Sequence, residues 1–81
     1  MNQIETLSMI AIIQVYHDNC GYAFRDEQDK EKFINETLSA FGKAAILDAY
    51  RQIDAKREKF GAEKFCSSLK PAIEEFKAKR G

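Results

Sequence analysis

The sequence predicts an all-α fold, a small bundle of four helices with the last one kinked or broken at Pro71. Three observations carry that reading. Ala, Glu, Lys, Leu and Gln, all strong helix formers, dominate the chain. Gly21, Gly42 and Gly61 each follow an apolar-periodic stretch, where a glycine able to adopt a left-handed backbone ends a helix. No stretch alternates apolar and polar residues with β-branched enrichment, so no strand is expected. With 81 residues the chain forms a single helical domain over residues 1–81. A domain this small buries a modest share of its surface and benefits from a staple or a partner.

The first helix is expected from Asn2 or Gln3 to Asn19. Its apolar residues, Ile4, Leu7, Met9 to Ile13, Val15 and Tyr16, cover nearly the whole circumference at 100° per residue. A helix apolar all round is normally buried. Two arrangements satisfy it here: a central position among three companions, or a second subunit packed on it in a weak homodimer. Tyr22 to Arg25 forms a connection, and Asp26 offers an N-cap. Glu27, Asp29 and Glu31 follow it with negative charge where the helix dipole favours it. The second helix runs through Phe33, Ile34, Leu38 and Phe41 to Gly42. In the third, Ile46, Tyr50 and Ile53 with Phe60 mark a core face, while Asp54, Lys56, Arg57, Glu58 and Lys59 make a wet end. The fourth begins after Gly61 and sets Phe65, Cys66, Leu69, Ile73 and Phe76 on one apolar seam. Pro71 interrupts it, either kinking the helix or opening a short fifth segment as its first residue. Lys77, Lys79, Arg80 and Gly81 read as a basic, frayed tail.

The only two cysteines, Cys20 and Cys66, would tie the end of the first helix to the fourth across 45 intervening residues. A loop of that size stabilises by about 4 kcal/mol in the chain-entropy model, a large share of the stability of a small domain. Two buried free thiols are the competing reading. A disulfide implies an oxidising compartment, so a periplasmic or secreted location is favoured over the cytoplasm. Met1 reads either as the start of a cytosolic chain or as an addition to a mature form.

Composition narrows the chemistry. Lys and Arg total 13, balanced by 13 Asp and Glu, so nucleic acid is an unlikely partner. A helix-turn-helix reader could be drawn around Gly42, with Lys43, Arg51, Lys56, Arg57 and Lys59 on its second helix. Asp48, Asp54 and Glu58 interrupt that basic surface. Residues 26 to 36 hold five acids and two bases, whereas residues 43 to 81 hold ten bases and six acids. The simplest reading is that these segments face each other within one bundle. The longest uncharged run, Thr6 to His17, is too short to span a membrane and lacks the flanks of a signal peptide.

No nucleotide-binding glycine loop, His-Glu-x-x-His or Cys-x-x-Cys occurs. His17, Cys20 and Cys66 supply three zinc-type ligands where four are wanted, and Asp18 is poorly directed as the fourth. A Cys-His nucleophile has no nameable orienting partner. His17 therefore reads as a helix-end residue whose charged form would favour the helix C-terminus. No enzyme, cofactor or metal site is expected. Most of the aromatics belong in a core. The candidates for a surface toward an unknown protein partner are Tyr16, Tyr22, Phe24 and Tyr50, joined by Ile73 and Phe76 should the chain beyond Pro71 be loose. The functional expectation is a non-enzymatic binding or structural module, exported and stapled by one disulfide. The alternative is a cytosolic regulatory or nucleic-acid-binding module that dimerises through its first helix.

Overall fold

The computed structural model describes residues 3 to 80. The readings that fall on Met1, Asn2 and Gly81 lie outside the described residues. Four helices follow one another: α1 (Gln3–Asn19), α2 (Glu27–Phe41), α3 (Lys43–Phe60) and α4 (Ala62–Arg80), with no strand among the described residues.

Local chemistry sets the boundaries. At the end of α1 the backbone N–H groups of Cys20 and Gly21 both donate to the Tyr16 carbonyl, at 2.7 and 3.3 Å. Asp26 caps α2 from an extended backbone, its Oδ1 accepting from the Asp29 N–H at 2.8 Å. Gly42 and Gly61 each serve two helices. Gly42 donates its N–H to Leu38 at 2.9 Å, closing α2, and its carbonyl accepts from Ile46 at 3.3 Å, opening α3. Gly61 does the same between Arg57 and Phe65, both at 3.0 Å. Turning a chain from one helix into the next within one residue takes a backbone that side chains resist. The φ angles are +85° at Gly42 and +95° at Gly61.

α1 occupies the centre and packs chiefly on α3, with α4 on a second side. Its apolar circumference is used twice. Ile10, Ile13 and Tyr16 meet Ala23, Phe24, Phe33 and Ile73 in one core cluster. Ala11 and Val15 meet Ile53 and Phe65 in another. The central arrangement is therefore the one observed for the middle of α1. Intramolecular packing buries Ile10, Ala11, Ile13, Val15 and Tyr16, while the neighbouring Met9 stays 47% exposed.

Pro71 lies inside α4, which runs as one element from Ala62 to Arg80. It is not broken there, and no fifth segment forms. Pro71 and Ser67 are both exposed, so the Ser67 carbonyl that loses its helical donor is on the solvent side. The opposite side is held by the seam. Phe65 and Ile73 are buried on either side of the proline, and Leu69 bridges both clusters. Side-chain burial on the inner face outweighs the helix-breaking preference of Lys70-Pro71 on the outer one.

The tail is not frayed at Arg80. Its Nε and Nη2 donate to Asp29 Oδ1, the former at 2.8 Å, and its guanidinium lies 5.4 and 5.5 Å from the ring centres of Phe33 and Phe76. The acidic start of α2 thus does face the basic end of α4. Residues beyond Pro71 are part of the fold, since Ile73 is only 2% exposed. Ile73→Ala should lower the unfolding free energy by roughly 2 to 5 kcal/mol, as a buried large-to-small change. Urea denaturation checks this, and an unchanged midpoint would return the end of α4 to a loose tail.

Candidate functional site

Most of the residues expected at a partner surface are structural. Tyr16, Phe24 and Ile73 are buried in the main core, so they are corrected from surface candidates to packing residues. Phe76 is half-buried and lies against Phe24 and Phe33, with ring centres 6.2 and 5.8 Å apart. Tyr50, also half-buried, donates its hydroxyl to Asp18 Oδ2 at 2.6 Å, pinning α3 to the end of α1. Burial, and then this bond to a carboxylate, push the Tyr50 phenol up to about 12. Only Tyr22 is well exposed, and its hydroxyl donates to Glu27 Oε1 at 3.0 Å.

Cys20 and Cys66 are joined in a disulfide, with Cα atoms 5.5 Å apart. Cys20 touches both core clusters, so the bridge lies where they meet. Sulfurs bonded to each other cannot serve as thiolate ligands or as a nucleophile. No group of three or more His, Cys, Asp or Glu residues that could hold a metal ion occurs among the described residues.

His17 has a different task from the one expected. Its Nδ1 accepts the backbone N–H of Ala23 at 3.2 Å, which requires that nitrogen to be unprotonated. The ring meets Tyr22 and Phe24 edge-on, at centroid distances of 5.0 and 5.1 Å. Burial, assisted by Lys30, holds its pKa below the ordinary 6.5, against the opposing pull of Asp18 and Glu27. The neutral ring thus fastens the connection that delivers Phe24 to the core, and the expected charge–dipole role does not apply.

Asp29 is buried and accepts the Arg25 N–H as well as the Arg80 guanidinium. Arg80 is the main cause holding its carboxyl below the ordinary 3.8, with burial working the other way. Arg25, Lys32, Lys79 and Glu36 line a polar cleft of about 490 Å³ around this pair. The pair satisfies its own charge, so the cleft is a structural junction.

The surface with unused potential lies elsewhere. Phe60, assigned from sequence to the core face of α3, is 67% exposed. It stands beside a concavity of about 240 Å³ formed by α1, α3 and α4, whose apolar lining includes Ile12, Ile53, Phe65 and Leu69. Lys56 of α3 and Lys64 of α4 complete it with Ser68, and no carboxylate lines it. A second concavity, over Ile4, Leu7, Ala45, Asp48 and Ala49, shares Ile53 and Lys56 with the first. Together they make a trough along α3 from Ala45 to Phe60, about 22 Å long at 1.5 Å per residue. Ile4, at 76% exposure, adds a second uncovered apolar side chain. No helix among the described residues is long and apolar enough to cross a membrane.

Comparison with protein-family models, with curated proteins and with solved structures finds no match.

Two outcomes test the structural junctions. His17 has a depressed pKa in the folded state, so its contribution is present above 6.5 and is lost as pH falls through the lowered folded value. Urea midpoints should therefore drop on acidification below that pH in the native chain, and drop less in His17→Gln. Equal slopes would remove the neutral-ring role. For the second junction, a double-mutant cycle with Asp29→Asn and Arg80→Gln should give a coupling of about 1 to 3 kcal/mol. Additive effects would show the pair to be energetically idle.

Proposed function

We propose that this chain is a non-enzymatic binding module of an oxidising compartment, a periplasm or the cell exterior, stapled by Cys20–Cys66 and presenting the α3 trough to its ligand. The observation that carries the reading is the disulfide, which joins the end of α1 to α4. Structural disulfides persist in exported proteins and are rare in reducing ones. The non-enzymatic part rests on what two kinds of reactive side chain are already engaged in. The two sulfurs are consumed in the bridge, and the Nδ1 lone pair of the single histidine is taken by Ala23. The trough supports the binding part, because Phe60 stands exposed beside the apolar concavity and Ile4 beside the one that adjoins it. A cytosolic module pairing through α1 has less behind it, since the buried middle of α1 is already covered by its own chain.

The test is the redox state and location of the protein in its native host. Fractionation with rapid thiol alkylation should place the oxidised form outside the cytoplasm. Recovery from the cytoplasm with both thiols alkylated would overturn the export reading.

A further inference from the structure

We propose that the connection between α1 and α2 is an acid-released latch. Protonation of His17 frees the segment from Gly21 to Phe24 and draws Phe24 out of the core, while the rest of the bundle stays folded. Such a device needs a titratable hold on one segment, fixed ends on either side of it, and a frame that keeps its own contacts at the same pH.

The hold is Nδ1 of His17, which accepts the Ala23 N–H at 3.2 Å. A protonated imidazole has no acceptor, so two N–H groups would then face each other. Ala23 is wholly buried, and a buried donor without a partner is unfavourable. The segment relieves this by moving, and Phe24 moves with it. Its ring lies 5.2 and 6.2 Å from those of Phe33 and Phe76, so its departure opens an aromatic recess between α2 and α4. The ends of the segment are fixed. Cys20 is bonded to Cys66, and the Arg25 N–H donates to Asp29 at 3.2 Å. The charged groups facing His17 are Asp18 on its own helix and Glu27 and Lys30 on α2. α3 reaches it through the Tyr50 hydroxyl on Asp18, and no charged group of α3 or α4 acts on it among the described residues. Burial, then Lys30, disfavours the imidazolium, whereas Asp18 and Glu27 favour it. His17 is half-buried, so a proton reaches it without unfolding the chain. Its contribution is present above 6.5 and is lost as pH falls through the lowered folded value. The frame is held differently. Arg80 keeps the Asp29 carboxyl below the ordinary 3.8, so that junction persists until the pH falls below this value. In the interval between, the connection is the part that loses its hold.

The experiment follows amide hydrogen exchange and the His17 ring resonances by NMR in the oxidised full chain, from about pH 7.5 to about pH 4.5. Exchange is corrected for its intrinsic pH dependence. The Ala23 amide should lose about tenfold or more of its protection, with the midpoint of the His17 titration. The Phe24 ring signals should move with the same midpoint, whereas the amides of Val15 and Ile53 stay protected. His17→Gln keeps a side-chain acceptor without a proton switch, so Ala23 should stay protected across the range. Phe24→Leu weakens the closed state in a chain still held by the disulfide, and should raise the midpoint toward 6.5. Three results would overturn the latch. One is an Ala23 amide that stays protected after His17 has titrated. Another is simultaneous loss of protection at Ala23, Val15 and Ile53, which marks global unfolding. The third is the same opening with pH in His17→Gln as in the native chain.

Discussion

The bridge between Cys20 and Cys66 is the constraint on which the remaining packing depends. α1 is apolar around its circumference and has to be covered from more than one side. A short chain has little surplus apolar area with which to do that. The bridge fixes one turn of α4 against the end of α1, at the point where the two core clusters meet. From that point the seam of α4 diverges into both clusters, with Phe65 in one and Ile73 in the other, and Leu69 touches each. In the chain-entropy model, closing this loop removes about 4 kcal/mol of freedom from the unfolded chain. Single-residue burials contribute comparable amounts only at the best-packed positions.

Polar contacts are placed at the ends of the helices, where apolar packing runs out. Tyr50 reaches Asp18 at the end of α1, His17 receives the backbone of Ala23, and Arg80 reaches Asp29 at the start of α2. No buried side-chain nitrogen or oxygen is left without a partner among the described residues. That division of labour follows from the cost of burying an unpaired polar group, commonly 1 to 3 kcal/mol, roughly the gain from a buried side chain. The pins orient the helices, and the clusters hold them.

The sequence was legible where a local rule decided the outcome. The glycine stops, the Asp26 cap and the pairing of two lone cysteines follow from backbone freedom, side-chain capping and loop closure. All three are local or binary questions. It was misleading where the outcome depended on which neighbour stands at a given height along a helix. Phe60 follows Ile53 by seven residues, so it points almost the same way, about 20° off. Periodicity therefore assigns both to one face. Yet Ile53 is buried, and Phe60 is 67% exposed. Azimuth is written in the sequence, but the reach of the covering helix is not. Arg80 fails in the opposite sense. A basic tail reads as solvated, and only the position of α2 shows that a buried carboxylate waits for it. The same gap hid the trough, because Lys56 and Lys64 lie on different helices and look like ordinary surface charge in each.

An exposed phenylalanine beside an apolar concavity is costly to keep in so small a chain. The same side chain packed into a core would contribute about 1.5 to 3 kcal/mol, and left outside it invites association. The disulfide changes that balance. Linking the end of α1 to α4 contributes about 4 kcal/mol in the chain-entropy model, more than the uncovered side chain forgoes. The junction at Gly61 then presents the α3 end and the α4 start as two fixed walls, joined by one residue whose backbone no side-chain-bearing residue adopts easily. The staple therefore offsets the stability that an uncovered Phe60 withholds from the core.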